Sequence, residues 1–214
     1  MIAAIAALVI SGPTSVTFVP TDDIWVYSHA TDTKDIYLRV WGAEGKEVAK
    51  DVNEVEDFGY SYLKFDLSTV PAGKITAATL TVTHIANPGY DLEYVKQNPL
   101  RARPVPSDFD EKTWDFSKVA DIHPDGGPKA FFGGGYPDKI PGDKEFPITI
   151  DLLKGPNDFS AYVSSARNSK NHALALALTS SVDVEEQGQG CIYKFYSKDC
   201  EDPAKRPVLK LTIG

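Results

Sequence analysis

The sequence has few of the residues on which several enzyme classes depend. Its 214 residues include two cysteines and four histidines, and the histidines, at positions 29, 84, 123 and 172, have no metal-ligand spacing. It also lacks a Gly-x-Ser-x-Gly nucleophile turn, a phosphate-binding loop and a metalloprotease His pair. These absences argue against a zinc site and give no support to the hydrolases and nucleotide-binding enzymes that those motifs mark.

The two cysteines do not predict a disulfide. Cys191 begins a predicted strand, and Cys200 follows that strand. At about 3.3 Å per residue, their Cα atoms would lie roughly 25 Å apart, whereas a disulfide needs about 4.4 to 6.8 Å. We therefore expect two free thiols unless the chain folds back sharply after Phe195.

Positive charge is scarce as well. The 22 Lys and Arg residues are outnumbered by 30 Asp and Glu residues, which gives a net charge of -8. Nucleic acids and anionic membranes need extended basic surfaces, so we predict neither as a partner. The apolar run of residues 1–10 is too short to span a bilayer. It fits either the remnant of a secretory signal, without the usual charged region, or an ordinary first strand or linker.

Helical periodicity is almost absent, and short strands separated by turns take its place. The predicted strands are residues 15–20, 24–27, 36–41, 60–67, 77–85, 100–105, 146–151, 173–179, 191–197 and 208–213. One short helix is predicted at residues 157–167, capped by Asn157 or Asp158 and plugging one end of the fold. We expect an all-β sandwich of two antiparallel sheets. Residues 1–14 would form an N-terminal extension or signal remnant, and residues 15–214 a single domain.

Strand alternation predicts which side chains face away from the core. Three strands place aromatic and basic residues on that outward side: Tyr37, Arg39 and Trp41; Tyr62 and Lys64; Lys194, Tyr196 and Lys198. Arg101 and Arg103 alternate on a further strand and would border the same groove. Aromatic rings stack on sugar rings, while Lys and Arg bind carboxylates or sulfates, so an acidic polysaccharide is the predicted ligand. Ordinary cross-strand pairs on solvated strand faces are the alternative.

The segment 173–178 alternates alanine with leucine. Leu174, Leu176 and Leu178 are predicted to face the core, and the three alanines to face the other way. Such small side chains could floor a groove, or they could lie beneath a covering loop or helix. Both interpretations stay open at this point.

Acidic loops provide the hard oxygen ligands that calcium requires. Asp22, Asp23 and Asp199 are the candidate ligands of a structural calcium ion, although they have no ordered spacing such as that of an EF-hand. Solvated acidic side chains are the alternative. Apart from this calcium, no cofactor is predicted.

Several segments together resemble the DNRLRE-domain family, which includes carbohydrate-binding module family 96. They are residues 20–27, 36–41, 62–68, 75–80, 103–114, 195–199 and 206–211, which together span nearly the whole chain. One departure is Lys198-Asp199, where the family ending more often has Arg-Glu. The loops at residues 86–98 and 115–144 also look long, which affects the ligand more than the fold.

The resemblance implies a jelly-roll β-sandwich in an extracellular or cell-surface setting. It also implies a non-catalytic module that binds an acidic polysaccharide, with an alginate-like polyuronate favoured, and that is covalently attached to a polysaccharide lyase or another glycan-degrading enzyme. Two alternatives are a jelly-roll polysaccharide lyase and a structural or adhesive domain of a cell-surface protein. Lyases of comparable size carry a Gln-Ile-His or Gln-Val-His strand and a Tyr-Phe-Lys-Ala-Gly ending, and neither is present here.

Overall fold

The computed structural model describes residues 12–27, 30–31, 35–42, 58–115, 118, 122–124, 127, 129–188 and 190–214. The run at residues 1–10, which predicts a signal remnant or a first strand, lies outside these residues. His29 also lies outside them. All structural statements below concern the described part of the chain.

Twelve strands lie within the described residues. They are β1 (Thr14–Phe18), β2 (Asp22–Tyr27), β3 (Ala30–Thr31), β4 (Tyr37–Val40), β5 (Gly59–Asp66), β6 (Ile75–His84), β7 (Leu100–Pro104), β8 (Gly133–Gly135), β9 (Phe146–Asp151), β10 (Ala173–Thr179), β11 (Tyr193–Tyr196) and β12 (Val208–Ile213). All ten predicted strands are present. The two that the sequence did not predict, β3 and β8, are the shortest.

The strands form two antiparallel sheets, which confirms the predicted all-β sandwich. In the first sheet β6 pairs with β9 along one edge and with β12 and β11, one after the other, along its other edge. β1 extends this sheet beyond β12, and β4 extends it beyond β11. The second sheet has the order β3-β2-β5-β10-β7-β8.

The main core lies between the two sheets and follows the predicted alternation. β5 and β10 pair so that Leu63 lies opposite Leu176 and Phe65 opposite Leu174, and all four side chains are fully buried. Burial of one such side chain stabilises the fold by roughly 1.5 to 3 kcal/mol. The inward face predicted for these two strands is confirmed.

The predicted helix is also present, as α2 (Phe159–Asn168). Asp158 caps it by accepting a hydrogen bond from the Ala161 N–H at 2.9 Å. Phe159 and Val163 are buried in the main core, so the helix closes one end of the sandwich. Two shorter helices, α1 (Leu92–Gln97) and α3 (Val184–Gln187), accompany it. No helix among the described residues is both long enough and apolar enough to cross a membrane.

Glycine allows the two sheets to approach each other at β8. A Cβ atom on Gly135 would lie 2.5 Å from the Thr149 carbonyl oxygen, and one on Gly133 would lie 2.1 Å from the Asp151 carbonyl oxygen. Both carbonyls belong to β9 in the opposite sheet. The glycine run that resembles a loop in the sequence is therefore a strand, and only glycine fits at positions 133 and 135.

Both cysteines are buried and free, which confirms the prediction that they form no disulfide. Cys191 lies just before β11 and Cys200 lies beyond the end of that strand. Burial raises the pKa of the Cys191 thiol.

Candidate functional site

The predicted aromatic and basic residues lie on two opposite surfaces. β4 and β11 are neighbours in the first sheet, where Tyr37 lies opposite Tyr196 and Arg39 opposite Lys194. β5, with Tyr62 and Lys64, belongs to the second sheet. We call the outer surface of the first sheet the open face and that of the second sheet the covered face.

On the open face the side chains form a compact group, the aromatic–basic patch: Tyr37, Arg39, Lys194, Tyr196 and Lys205. All five are partly exposed. The rings of Tyr37 and Tyr196 have centroids 5.2 Å apart. The Lys194 Nζ lies 4.4 Å from the centre of the Tyr37 ring, and the Lys205 Nζ lies 4.9 Å from that of Tyr196, both within the range of cation–π attraction.

Two carboxylates of the protein already bind cations of the patch. Asp35 forms a salt bridge with Arg39, and Glu145 forms one with Lys205 at 2.8 Å. Glu145 also accepts a hydrogen bond from the Tyr196 hydroxyl. The bonds from Lys205 and Tyr196 lower the pKa of Glu145, and the bond to Glu145, with some burial, raises the pKa of Tyr196 to about 12.

Lys194 differs from the other two cations, because it forms no ion pair with any described residue. Its ammonium instead lies over the Tyr37 ring. Partial burial and the nearby Arg39 guanidinium lower the pKa of Lys194. The carboxylate of a ligand bound between Lys194 and Arg39 would offset the repulsion between these two cations.

His84 fixes the backbone under Lys194. Its Nε2 accepts a hydrogen bond from the Lys194 N–H at 2.9 Å, so its other nitrogen, Nδ1, is the one that donates to the Ile85 carbonyl at 2.7 Å. The ring stacks on Phe146 at 4.8 Å. Burial lowers the pKa of His84 to about 4. This histidine therefore supports the patch and is not a metal ligand.

Sequence reasoning missed Lys205 and Glu145. Lys205 lies in a short 3-10 turn, Pro203–Lys205, and Glu145 lies in the loop just before β9. Neither position belongs to an alternating strand, so strand periodicity carries no signal for them.

Trp41 lies at the edge of the sandwich. Its ring is 6.1 Å from that of Trp25, and both pack against the main core. The Arg39 guanidinium carbon lies 4.6 Å from the Trp25 ring centre. Trp25 is therefore a partly buried residue at the border of the main core. Trp41, which the sequence placed on the ligand face, does not belong to the compact patch.

The covered face is not open, and this corrects the prediction for Tyr62. Residues 105–124, which we call the covering segment, form a second hydrophobic core against this sheet; residues 105–115, 118 and 122–124 of it are described. Tyr62 is fully buried there, donates a hydrogen bond to the Ile122 carbonyl at 2.7 Å and packs against Phe109 and Trp114. Ala175 and Ala177 lie in the same core, so two of the three alanines lie beneath a covering loop.

Arg103 needs the same correction, because its side chain is only 1 % exposed. Its guanidinium donates to the Thr179 hydroxyl at 3.0 Å and to the Gly127 carbonyl at 3.1 Å. The neighbouring Arg101 is half-buried, with its guanidinium 4.7 Å from the Phe131 ring centre. Both arginines thus fasten loops onto the second sheet.

Lys64 also lies under the covering segment. Its ammonium forms a salt bridge with Asp22 at 3.0 Å and donates a hydrogen bond to the Phe109 carbonyl. The side chain is 15 % exposed. The sequence correctly directed Lys64 away from the main core, but the predicted open surface is wrong.

Two of the three predicted metal ligands come together with a third residue that the sequence did not single out. Oxygen atoms of Asp23, Glu111 and Asp199 lie within 4.8 Å of one another, and we call these residues the acid cluster. It could hold a metal ion. Asp22 is not part of it, because its carboxylate pairs with Lys64.

Lys198 already provides a positive charge to the acid cluster. Its Nζ lies 2.7 Å from Glu111 and 2.9 Å from Asp199, and its backbone N–H donates to Asp23 at 2.6 Å. Burial raises the pKa of Asp23 to about 7, against the lowering effect of these Lys198 contacts. Lys198 is therefore an internal counter-ion, not a surface group of the predicted ligand face.

The sequence was compared with protein-family models and with curated proteins. No protein-family model matches the chain, and no curated protein matches it.

Proposed function

We propose that this chain is a non-catalytic carbohydrate-binding module whose aromatic–basic patch binds an acidic polysaccharide, with an alginate-like polyuronate as the favoured ligand. The observation that supports this proposal is the pairing of Tyr37 with Tyr196 between Lys194 and Lys205 on the open face. Two partly exposed rings offer surfaces for sugar rings, and the two ammonium groups offer positive charge to the carboxylates of a polyuronate.

Lys194 is the residue we assign to the first carboxylate of the ligand. It is the one lysine of the patch that forms no ion pair with a described residue, and its ammonium is held over an aromatic ring. An ammonium that is partly desolvated and next to Arg39 gains more from an added anion than a fully solvated one does.

The state of Tyr196 favours binding over catalysis. A lyase of this kind would use a tyrosine as the group that takes up a proton, and that tyrosine must first be deprotonated. Its bond to Glu145 raises the pKa of Tyr196 to about 12, so this hydroxyl is harder to deprotonate than that of an ordinary tyrosine, with a pKa of about 10. The alternative of a polysaccharide lyase is tested by the absorbance of unsaturated uronate products.

In this proposal the module acts outside the cell or at the cell surface, covalently attached to a polysaccharide-degrading enzyme. Attachment raises the effective concentration of the enzyme near its substrate without any new catalytic group. An open, solvent-facing sheet surface suits a long polymer better than an enclosed pocket does. If the chain were a structural or adhesive domain instead, the patch would bind no glycan.

Isothermal titration calorimetry against alginate, pectate and a neutral glucan tests the proposal. We expect saturable binding to the polyuronates that weakens with added salt, and no binding to the neutral glucan. Lys194→Met should weaken binding at least tenfold. Lys210→Met is the matched control, because Lys210 is an exposed lysine on β12 of the same sheet and lies outside the patch. Absence of saturable binding to every acidic glycan would sink the proposal, as would equal losses in the two variants.

We further propose that calcium binds at the acid cluster in competition with Lys198. The carboxylates of Asp23, Glu111 and Asp199 are hard ligands, and the ammonium already satisfies part of their charge. Lys198→Met would remove that counter-ion, so calcium should raise the thermal midpoint more in this variant than in the wild-type protein. Equal midpoints with calcium and with EDTA in both proteins would contradict a calcium site.

A further inference from the structure

A second concave site lies where α2 meets the covering segment. It is a cleft of about 590 Å³, within the range of roughly 300 to 1,000 Å³ that is typical of small-molecule sites. Its lining includes Pro104, Pro106, Ser107, Asp108, Ser165 and Asn171. It shares no residue with the aromatic–basic patch or with the acid cluster.

The cleft is preformed, because one tyrosine ties its walls together. The Tyr162 hydroxyl of α2 lies 3.0 Å from the Val105 carbonyl oxygen of the covering segment and 2.8 Å from the Ala175 carbonyl oxygen of β10. Ala166, on the same helix, is anchored in the main core. A ligand would therefore enter a site whose walls are already in place, which reduces the entropy lost on binding.

Asn171 is held in a fixed position at one side of the cleft. Its Oδ1 accepts a hydrogen bond from the Ala173 N–H at 3.3 Å and lies 2.9 Å from the Ser169 hydroxyl, whose single proton is shared with the Ala166 carbonyl at 2.6 Å. No described residue accepts a hydrogen bond from its amide nitrogen. Two donors of a positioned amide are thus left for a ligand.

Three further polar side chains come from opposite walls. Ser107 and Asp108 belong to the covering segment, and Ser165 is an exposed residue of α2. Their side chains make no hydrogen bond with the described part of the chain. Together with Asn171 they provide donors and acceptors for several hydroxyl groups at once.

The charge of the lining identifies the class of ligand. It contains one carboxylate, Asp108, one histidine, His123, and neither lysine nor arginine. The C-terminal end of α2, at Asn168, adds partial negative charge. Anions are therefore disfavoured, and a neutral molecule with many hydroxyl donors is favoured. Pro104 and Pro106, which are partly exposed and exposed, offer apolar surfaces that suit the C–H groups of a sugar ring.

We infer that this cleft is a binding site for a neutral sugar of one or two rings. It is separate from the acidic-polysaccharide site proposed above, and it does not depend on that proposal. The hydroxyls of the sugar would donate to Asp108 and accept from the Asn171 amide, while its ring would lie on Pro104 and Pro106.

Titration of isotopically labelled protein with glucose, maltose and cellobiose, followed by NMR, tests this inference. We expect a saturable shift of the Asn171 side-chain amide resonance with at least one of these sugars. Ser165→Trp should fill the cleft and reduce affinity at least tenfold. Ser164→Trp is the matched control, because Ser164 is the adjacent exposed residue of α2 and does not line the cleft.

Either of two results would overturn the inference: no saturable shift with any of the neutral sugars, or equal losses in the two tryptophan variants. Glucuronate that binds as tightly as glucose would also contradict it, because the negative lining should reject a carboxylate. If Ser165→Trp does not fold, Ser107→Trp blocks the cleft from the opposite wall. Lys194→Met should leave this binding unchanged, so failure here is distinct from failure of the polysaccharide site.

Discussion

The two outer surfaces of the sandwich begin from the same sequence pattern and end in different environments. On the open face Thr79, Thr81 and Thr83 of β6 are partly exposed. On the covered face Tyr62 of β5 and Ala177 of β10 occupy equivalent outward positions and are fully buried. The difference comes from the covering segment, which is distant in sequence from both strands. Alternation therefore shows which side of a sheet a residue occupies, and a remote segment decides whether that side meets solvent.

The largest test of this comparison replaces one tyrosine on each face. Tyr62→Ala should lower the free energy of unfolding by about 3 to 5 kcal/mol, because it empties the second core and removes a buried hydrogen bond. Tyr196→Ala should change it by only about 0.5 kcal/mol, since the side chain is partly exposed. Urea denaturation measures both free energies of unfolding. Equal losses would contradict the difference in burial between the covered face and the open face.

A second test uses the pH dependence of stability and compares a buried residue from each sheet, beginning with His84 of β6 in the first sheet. The pKa of His84 falls from 6.5 in the unfolded chain to about 4 in the folded protein. Between these values the unfolded chain binds more protons, so stability from His84 is present above pH 6.5 and is lost as the pH falls towards 4. The full effect is about 3 kcal/mol.

Asp23, in the second sheet, acts in the opposite direction. Its pKa rises from 3.8 to about 7, so the folded state holds the extra proton and stability falls as the pH rises through this range. The wild-type protein should therefore show a shallow dependence between pH 4 and 6.5. We expect His84→Gln to lose stability as the pH rises and Asp23→Asn to gain it, as measured by urea denaturation in EDTA. Parallel profiles for all three proteins would contradict this assignment.

A third test separates the two arginines of β7. Arg103→Met should lower the free energy of unfolding by about 2 to 3 kcal/mol, because the buried Thr179 hydroxyl and Gly127 carbonyl lose their donor. Arg101→Met, two residues away and half-buried, is the matched control and should cost about 1 kcal/mol or less. Thermal unfolding by calorimetry would show the difference, and equal costs would contradict the different roles assigned to the two arginines.

The smallest effect concerns the open face alone. Glu145→Gln should strengthen binding of a polyuronate about two- to fivefold, because Lys205 loses its internal partner and repulsion of the ligand decreases. Asp143→Asn changes the same charge on an exposed residue of the same loop and is the control. Calorimetric titration decides this prediction, and equal gains in both variants would assign the effect to net charge.

The local features of the fold could be predicted because each depends on neighbours in sequence. The alternation in 173–179 and the Asp158 cap both follow from spacing alone. By contrast, the short glycine strand β8 has no side chains whose alternation could predict it. Its place depends on the close approach of β9, a contact that no local pattern records.

The site could be predicted only in part, because strand pairing is not encoded in alternation. Tyr37 and Tyr196 come together because β4 and β11 are neighbours, whereas β5, with a similar pattern, lies in the other sheet. The acid cluster shows the same limit. Asp23 and Glu111 are 88 residues apart, and the fold joins them where the covering segment crosses the start of β2. Long-range partners of this kind require the folded structure.

The pairing of β1 with β12 has a mechanical consequence. The two strands are antiparallel and run from Thr14 opposite Ile213 to Phe18 opposite Leu209, so the chain enters and leaves the sandwich at one point. Tension applied to the start of β1 and the end of β12 would break the hydrogen bonds between the two strands pair by pair, beginning at Thr14 and Ile213. It would not load all of these hydrogen bonds in shear at the same time. Under flow or traction, β1 would peel away first, while β6, paired along both edges, would keep the remainder of the sheet together.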